Sequence, residues 1–154
     1  MKQFLILAFF CLPAQVFGQE LINKSKTFVR NKIEKYNPGV DSLRTSFSET
    51  DSTIQLSVRS QSSPYNDFIY SFDKKGNCSS EKKISYTETH FRQLLKQALD
   101  LKNYDWKRIN ENQYVSKFSE KMLIELPGDA GIYSFTIIRT DWNKATYELI
   151  TRSY

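Results

Sequence analysis

Histidine occurs once in this 154-residue chain, at His90, and cysteine only twice, at Cys11 and Cys78. A single imidazole excludes the metal sites that need two ring nitrogens at HxxxH or HExxH spacing. Two cysteines are too few for a disulfide scaffold, and no Cys-x-x-Cys pair is present for thiol–disulfide exchange. Glycine (five) and proline (four) are scarce, and no Walker loop, GxGxxG turn or GxSxG elbow occurs. No cofactor and no metal is therefore expected. No apolar run approaches the roughly 20 residues that a helix needs to cross a bilayer. No five like charges stand together either, so the net charge of +5 reads as solvated faces, and no nucleic-acid partner is expected.

What is present suits a folded domain. Hydrophobic residues make up 40% of the chain, charged residues 25% and aromatics 14%, which excludes a disordered or low-complexity polymer. The length fits one domain, or two small repeated units.

The N-terminus carries an address. Lys2 supplies a positive charge, Phe4 to Leu12 is an unbroken apolar run, and Pro13 breaks it. Val16-Phe17-Gly18 then places tolerated residues at positions −3 and −1 of a cleavage site. This is the order of a secretory signal peptide, so residues 1–18 are expected to be removed, leaving Gln19 first. Phe10 before Cys11 is too large for a lipidation site. Loss of the leader removes one lysine and no acid, which lowers the formal charge to +4. A periplasmic or secreted domain, 19–154, is the expectation.

Along that domain the apolar period alternates between helix and strand. Ile22, Val29, Ile33 and Tyr36 share a helical face over residues 21–36, and Asn37-Pro38-Gly39 ends it. Leu43, Thr45 and Phe47, then Ile54, Leu56 and Val58, alternate with polar residues as a hairpin. Phe68, Tyr70 and Phe72 continue the pattern to a tight turn at Asp73 to Asn77. Cys78 to Tyr86 reads as a weakly apolar return strand at the sheet edge. Thr87 can cap a second helix striped by Phe91, Leu94, Leu95, Ala98, Leu99 and Leu101. Strands follow near Trp106 to Ile109, Tyr114 to Phe118, Met122 to Leu126 and Ile132 to Thr140, with a turn at Pro127 to Gly131. The tail from Ala145 alternates through Tyr147, Leu149 and Thr151 as a last strand. The fold class is α+β: an antiparallel sheet of about six to eight strands with two amphipathic helices on one face.

Three short words recur in order. Phe47-Ser48-Glu49, Ile54-Gln55-Leu56 and Ile69-Tyr70-Ser71-Phe72 return as Phe118-Ser119-Glu120, Ile124-Glu125-Leu126 and Ile132-Tyr133-Ser134-Phe135. Duplication of a helix–strand unit, 19–86 and 87–154, and convergence of strand-rich composition both account for them.

Candidate chemistry is thin. His90 could act as a general base and Cys78 as a nucleophile only if the two side chains meet. The blander readings are a helix-start surface histidine and a small strand residue. Tyrosine and tryptophan suit recognition, because they offer large contact area with a polar tip. Trp142, in the polar context Thr140-Asp141-Trp142-Asn143, is the best candidate anchor, followed by Tyr104, Trp106 and Tyr133. The segment Tyr70-Ser71-Phe72-Asp73-Lys74-Lys75-Gly76-Asn77-Cys78 resembles a hairpin of uncharacterised small exported bacterial proteins. The helix–sheet alternation is similar to the PepSY-like and β-lactamase-inhibitor-like tandem folds, an analogy of architecture that implies no activity.

The resulting expectation is a non-catalytic binding or protein-interaction module of the cell envelope, with a protein or small-ligand partner. Two alternatives stand beside it: a small hydrolase using Cys78 and His90, and a structural envelope protein that self-associates through an exposed sheet edge.

Overall fold

The computed structural model describes residues 19–37, 42–60, 64–127 and 133–152. The expected leader and most of the Pro127 to Gly131 turn lie outside these residues. A short 3₁₀ turn (Gln19–Leu21) leads into α1 (Lys26–Glu34), capped by the Ser25 hydroxyl, which accepts from the Phe28 N–H at 3.3 Å. The helix starts later than its apolar period suggests. Residues 23–26 instead turn along the β3–β4 turn, with Asn23 at φ +68°: Asn23 N–H donates to Cys78 O, Cys78 N–H to Lys24 O and Lys26 N–H to Gly76 O, all at 2.8–2.9 Å. Ile22 is buried before the helix begins, not on it.

Four strands follow, β1 (Leu43–Glu49), β2 (Thr53–Ser60), β3 (Pro64–Phe72) and β4 (Cys78–Ser85). Gly76, at φ +76°, supplies the left-handed residue of the β3–β4 turn. Asp73 Oδ1 ties that turn by accepting from the N–H groups of Lys75 and Asn77 at 2.9 and 3.0 Å. Then come α2 (Glu88–Leu99), β5 (Lys107–Asn110), β6 (Gln113–Val115), β7 (Met122–Glu125), β8 (Tyr133–Arg139) and α3 (Lys144–Arg152). Thr87 caps α2 as expected, its hydroxyl accepting from His90 N–H at 3.3 Å.

All eight strands form one open antiparallel sheet in the order β1-β2-β3-β4-β8-β7-β6-β5. Two meanders, 1-2-3-4 and 5-6-7-8, meet along β4 and β8. The expected fold class is observed. Two details differ. The polar strand Cys78–Ser85 is not an edge but the centre, paired with β3 on one side and β8 on the other. The tail is not a strand but α3.

Directly opposed residues of antiparallel strands share a face, so the register sorts the sheet into two surfaces. One carries Leu56, Phe68, Phe135, Ile54, Tyr70, Ile137 and Ile124, in a single core with Val29 and Ile33 of α1 and Leu94 and Ala98 of α2. Both helices therefore cover the same face. On the other face, alternate residues Ile109, Val115 and Leu123 pack against Trp142, Tyr147 and Ile150. α3 thus covers the opposite surface at the β5–β7 end, and among the described residues no other helix lies on that surface.

Candidate functional site

The structure scatters the aromatic residues marked by the sequence. Tyr104 is buried and stacks on Trp106 with ring centroids 5.6 Å apart, and Trp106 donates its Nε1–H to Ala98 O at 3.1 Å. Both belong to the packing beneath α2. Trp142 is half-buried against Ile109, Val115 and Leu123 on the opposite face. Trp142 lies just before α3, and the same packing that seats Tyr147 and Ile150 of that helix sets the indole on the sheet rather than fully in solvent. Tyr133 keeps 37% of its surface exposed at the start of β8, 6.2 Å from Phe91. The four form no common surface.

Cys78 and His90 are not brought together. Cys78 opens β4, while His90 lies beyond its far end, with its ring 4.1 Å from that of Tyr65. Seven strand steps alone separate the two ends of β4 by roughly 20 Å. The thiol is fully buried, and burial with Glu81 nearby pushes its pKa up to about 12. A thiol so poorly ionised at neutral pH is a packing group. Burial also lowers the pKa of His90.

No pattern in the sequence marks the charged cluster in the core. Glu81 and Lys83 are fully buried on the helix-covered face of β4, with Lys83 Nζ 3.8 Å from Glu81 Oε1. Register places Lys83 between Phe68 and Phe135, whose ring centroids lie 6.0 and 5.7 Å from Nζ. Glu81 stands between Tyr70 and Ile137. Among the described residues the carboxylate oxygens, Nζ and the Tyr70 hydroxyl have no hydrogen-bond partner within 3.5 Å. Burial raises Glu81 to about 7 against the pull of Lys83, lowers Lys83 and raises Tyr70, so every shift favours the neutral form. This cluster is sealed beneath the helices and titrates; its chemistry is that of stability.

The accessible polar chemistry lies on the other face. Lys82, Thr136, Glu125 and Gln113 are successive register partners across β4, β8, β7 and β6, and Asn110 of β5 pairs with Gln113. They line a groove of about 680 Å³ together with Ser134 and the Glu111–Asn112 turn. Asn110 Nδ2 donates to Gln113 Oε1 at 2.6 Å, and Gln113 Nε2 donates to Glu125 Oε1 at 2.8 Å. This relay orients both amides and one carboxylate oxygen. Ser134, only 1% exposed, has a buried hydroxyl in the same groove with no hydrogen-bond partner among the described residues. An unmet buried hydroxyl costs about 1–3 kcal/mol, which a ligand's polar group could recover.

Strand alternation shows that Thr136 and Glu125 share a face with their neighbours, but not that β4 lies beside β8. That adjacency assembles the row, and no local sequence signal carries it. Among the described residues no group of three or more His, Cys, Asp or Glu side chains could hold a metal ion. No helix of the described residues is long and apolar enough to cross a membrane. No known protein family, no curated protein and no solved structure matches the chain.

Proposed function

We infer that the chain is an exported, non-catalytic binding module that takes a polar ligand or a polar protein segment on the face of its sheet left free by α1 and α2. The observation that carries this reading is the groove across β4, β8, β7, β6 and β5, where Lys82, Thr136, Glu125, Gln113 and Asn110 stand in one cross-strand row. A cation at one end, an oriented carboxylate and amides at the other, and the buried Ser134 hydroxyl between them offer hydrogen bonds of both polarities. They include no activated nucleophile. Rigid strands hold these groups, which reduces the ordering entropy lost on binding.

The export half of the reading rests on the order of charge, apolar run and cleavage site in residues 1–18.

The test is site-specific photo-crosslinking in intact cells. A photoreactive residue at Thr136, in the groove, is compared with one at Arg92 on the outer side of α2, whose side chain is 75% exposed. A discrete adduct from Thr136 and none from Arg92 is the expected outcome. Adducts from Arg92 alone, or none from Thr136, overturn the assignment of this face.

A further inference from the structure

The two edges of the sheet are built differently. The β5 edge is four residues long, carries exposed Lys107 and Arg108, breaks register at Arg108–Asn110 and has α3 packed beside it. Shortness, charge and irregularity are the usual means of blocking edge-to-edge pairing. The β1 edge lacks most of them. β1 runs for seven residues without a bulge or proline, and Phe47 near its middle is 43% exposed. Among the described residues no strand lies beyond it.

Its free hydrogen-bonding groups can be identified. The β1–β2 turn is closed by Thr50 N–H donating to Thr53 O at 3.0 Å, so Thr50 and Thr53 are a hydrogen-bonded pair. Antiparallel pairs alternate, so Ser48, Ser46 and Arg44 direct their backbone groups to β2. Leu43, Thr45, Phe47 and Glu49 therefore direct their N–H and C=O groups outward.

We propose that β1 is a homodimerisation edge, pairing antiparallel with β1 of a second copy of this chain about a two-fold axis through Thr45. In this register Thr45 opposes the second copy's Thr45, and Leu43 opposes its Phe47 in both directions. Arg44 meets Ser46, so no like charges oppose. All the outward-directed groups of Leu43, Thr45 and Phe47 are then used, and Thr–Thr and aliphatic–aromatic contacts are favourable cross-strand pairs. Glu49 stays outside the pairing, where Lys26 and Arg30 already hold it. Moving the axis to Ser46 would set Leu43 against Glu49, and moving it to Phe47 would leave Leu43 beyond the partner strand. The self-complementarity of Leu43 to Phe47 is what selects a second copy as the occupant. The odd-numbered side chains lie on the helix-covered face, so the dimer is one continuous sheet with all four core helices on one side. The groove is on the opposite side, and this inference does not depend on it. A five-residue strand pair buries less than the ~800 Å² per partner of a standard interface, so the dimer should be concentration-dependent.

The test uses the mature chain, 19–154, in sedimentation experiments up to millimolar concentration. A monomer–dimer equilibrium is expected, and Thr45→Pro should abolish it while leaving the circular dichroism spectrum unchanged, because that N–H serves no bond among the described residues. Thr45→Cys provides a second reading that survives a poorly folded proline variant. Directly opposed Cα atoms lie about 5.5 Å apart, within disulfide range, so oxidation should give a covalent dimer. Ser48→Cys, whose counterpart in the second copy lies far along the strand, should remain uncrosslinked. Monomer at every concentration, a dimer that persists in a folded Thr45→Pro variant, or equal crosslinking of both cysteine variants would overturn the proposal.

Discussion

At the centre of the sheet a carboxyl and an amine share a dry site, and their protonation must feed into stability. Glu81 is held at about 7 by burial, above its ordinary value near 4.5. A raised folded-state pKa means that stability is full below the unfolded pKa and falls as pH rises through the folded one. From about pH 4.5 to 7 the fall is on the order of 3 kcal/mol, at roughly 1.4 kcal/mol per pH unit. Lys83, lowered by burial, contributes with the opposite slope. The other groups near Glu81 are Tyr70, Cys78 and Tyr104, all raised by burial and silent in this window. His90, lowered, works against the fall. The double variant Glu81→Gln/Lys83→Met should therefore lose the decline in melting temperature between pH 5 and 7.5 that the parent shows. Because replacing a buried ion pair by neutral groups is often neutral or stabilising, it should melt no lower at pH 7.5. An unchanged pH slope in the double variant would sink the account. None of this was visible in the sequence: a Glu and a Lys two residues apart in a polar strand read as solvent-facing. Only the placement of β4 between β3 and β8 puts them inside.

At the scale of the element, the last helix shows how a short segment satisfies two periods at once. Tyr147, Leu149 and Thr151 alternate like a strand, whereas Tyr147 and Ile150 are one helical turn apart. Helical spacing prevails because the bare end of the sheet presents Ile109, Val115 and Leu123, and Trp142, Tyr147 and Ile150 cover them together. Glu148 adds ion-pair distances of 4.0 and 3.2 Å to Lys144 and Arg152 one turn away on either side. Leu149, 71% exposed, is left in solvent. The two residues therefore separate the alternatives. Ile150→Ala should cost about 1–2 kcal/mol, part of the full core value, while Leu149→Ala should cost less than about 0.5 kcal/mol. Urea denaturation of the two variants measures both, and equal costs would contradict the helix. The other elements were legible where propensity and pattern agreed: the capped second helix, the Asp73–Asn77 turn and the β1–β2 hairpin fall where their residues point.

At the scale of the whole molecule, the order 1-2-3-4-8-7-6-5 sets two helix-plus-four-strand halves symmetrically about the β4–β8 seam. Their boundary coincides with Thr87, the α2 cap. The recurring words do not follow that symmetry. Ile54-Gln55-Leu56 lies on β2 and its echo begins on β7; Ile69-Tyr70-Ser71-Phe72 lies on β3 and the described part of its echo on β8. In the topology β2 corresponds to β6 and β3 to β7, so the words are offset by one strand from the architecture they suggested. Shared strand composition accounts for them as readily as descent does. What joins the halves physically is the seam. Phe68–Lys83–Phe135 and Tyr70–Glu81–Ile137 are rows that cross it, and a half-chain would present a buried lysine and glutamate to water with their aromatic and aliphatic neighbours missing. The halves should therefore unfold together. Both tryptophans, Trp106 and Trp142, lie in the second half, so fluorescence reports that half alone while far-ultraviolet circular dichroism reports the entire sheet. Coincident urea transitions by the two signals are expected. A dichroism transition that begins before the fluorescence change would mean that β1–β4 can leave while β5–β8 stays folded, and that the seam does not bind the sheet into one cooperative unit.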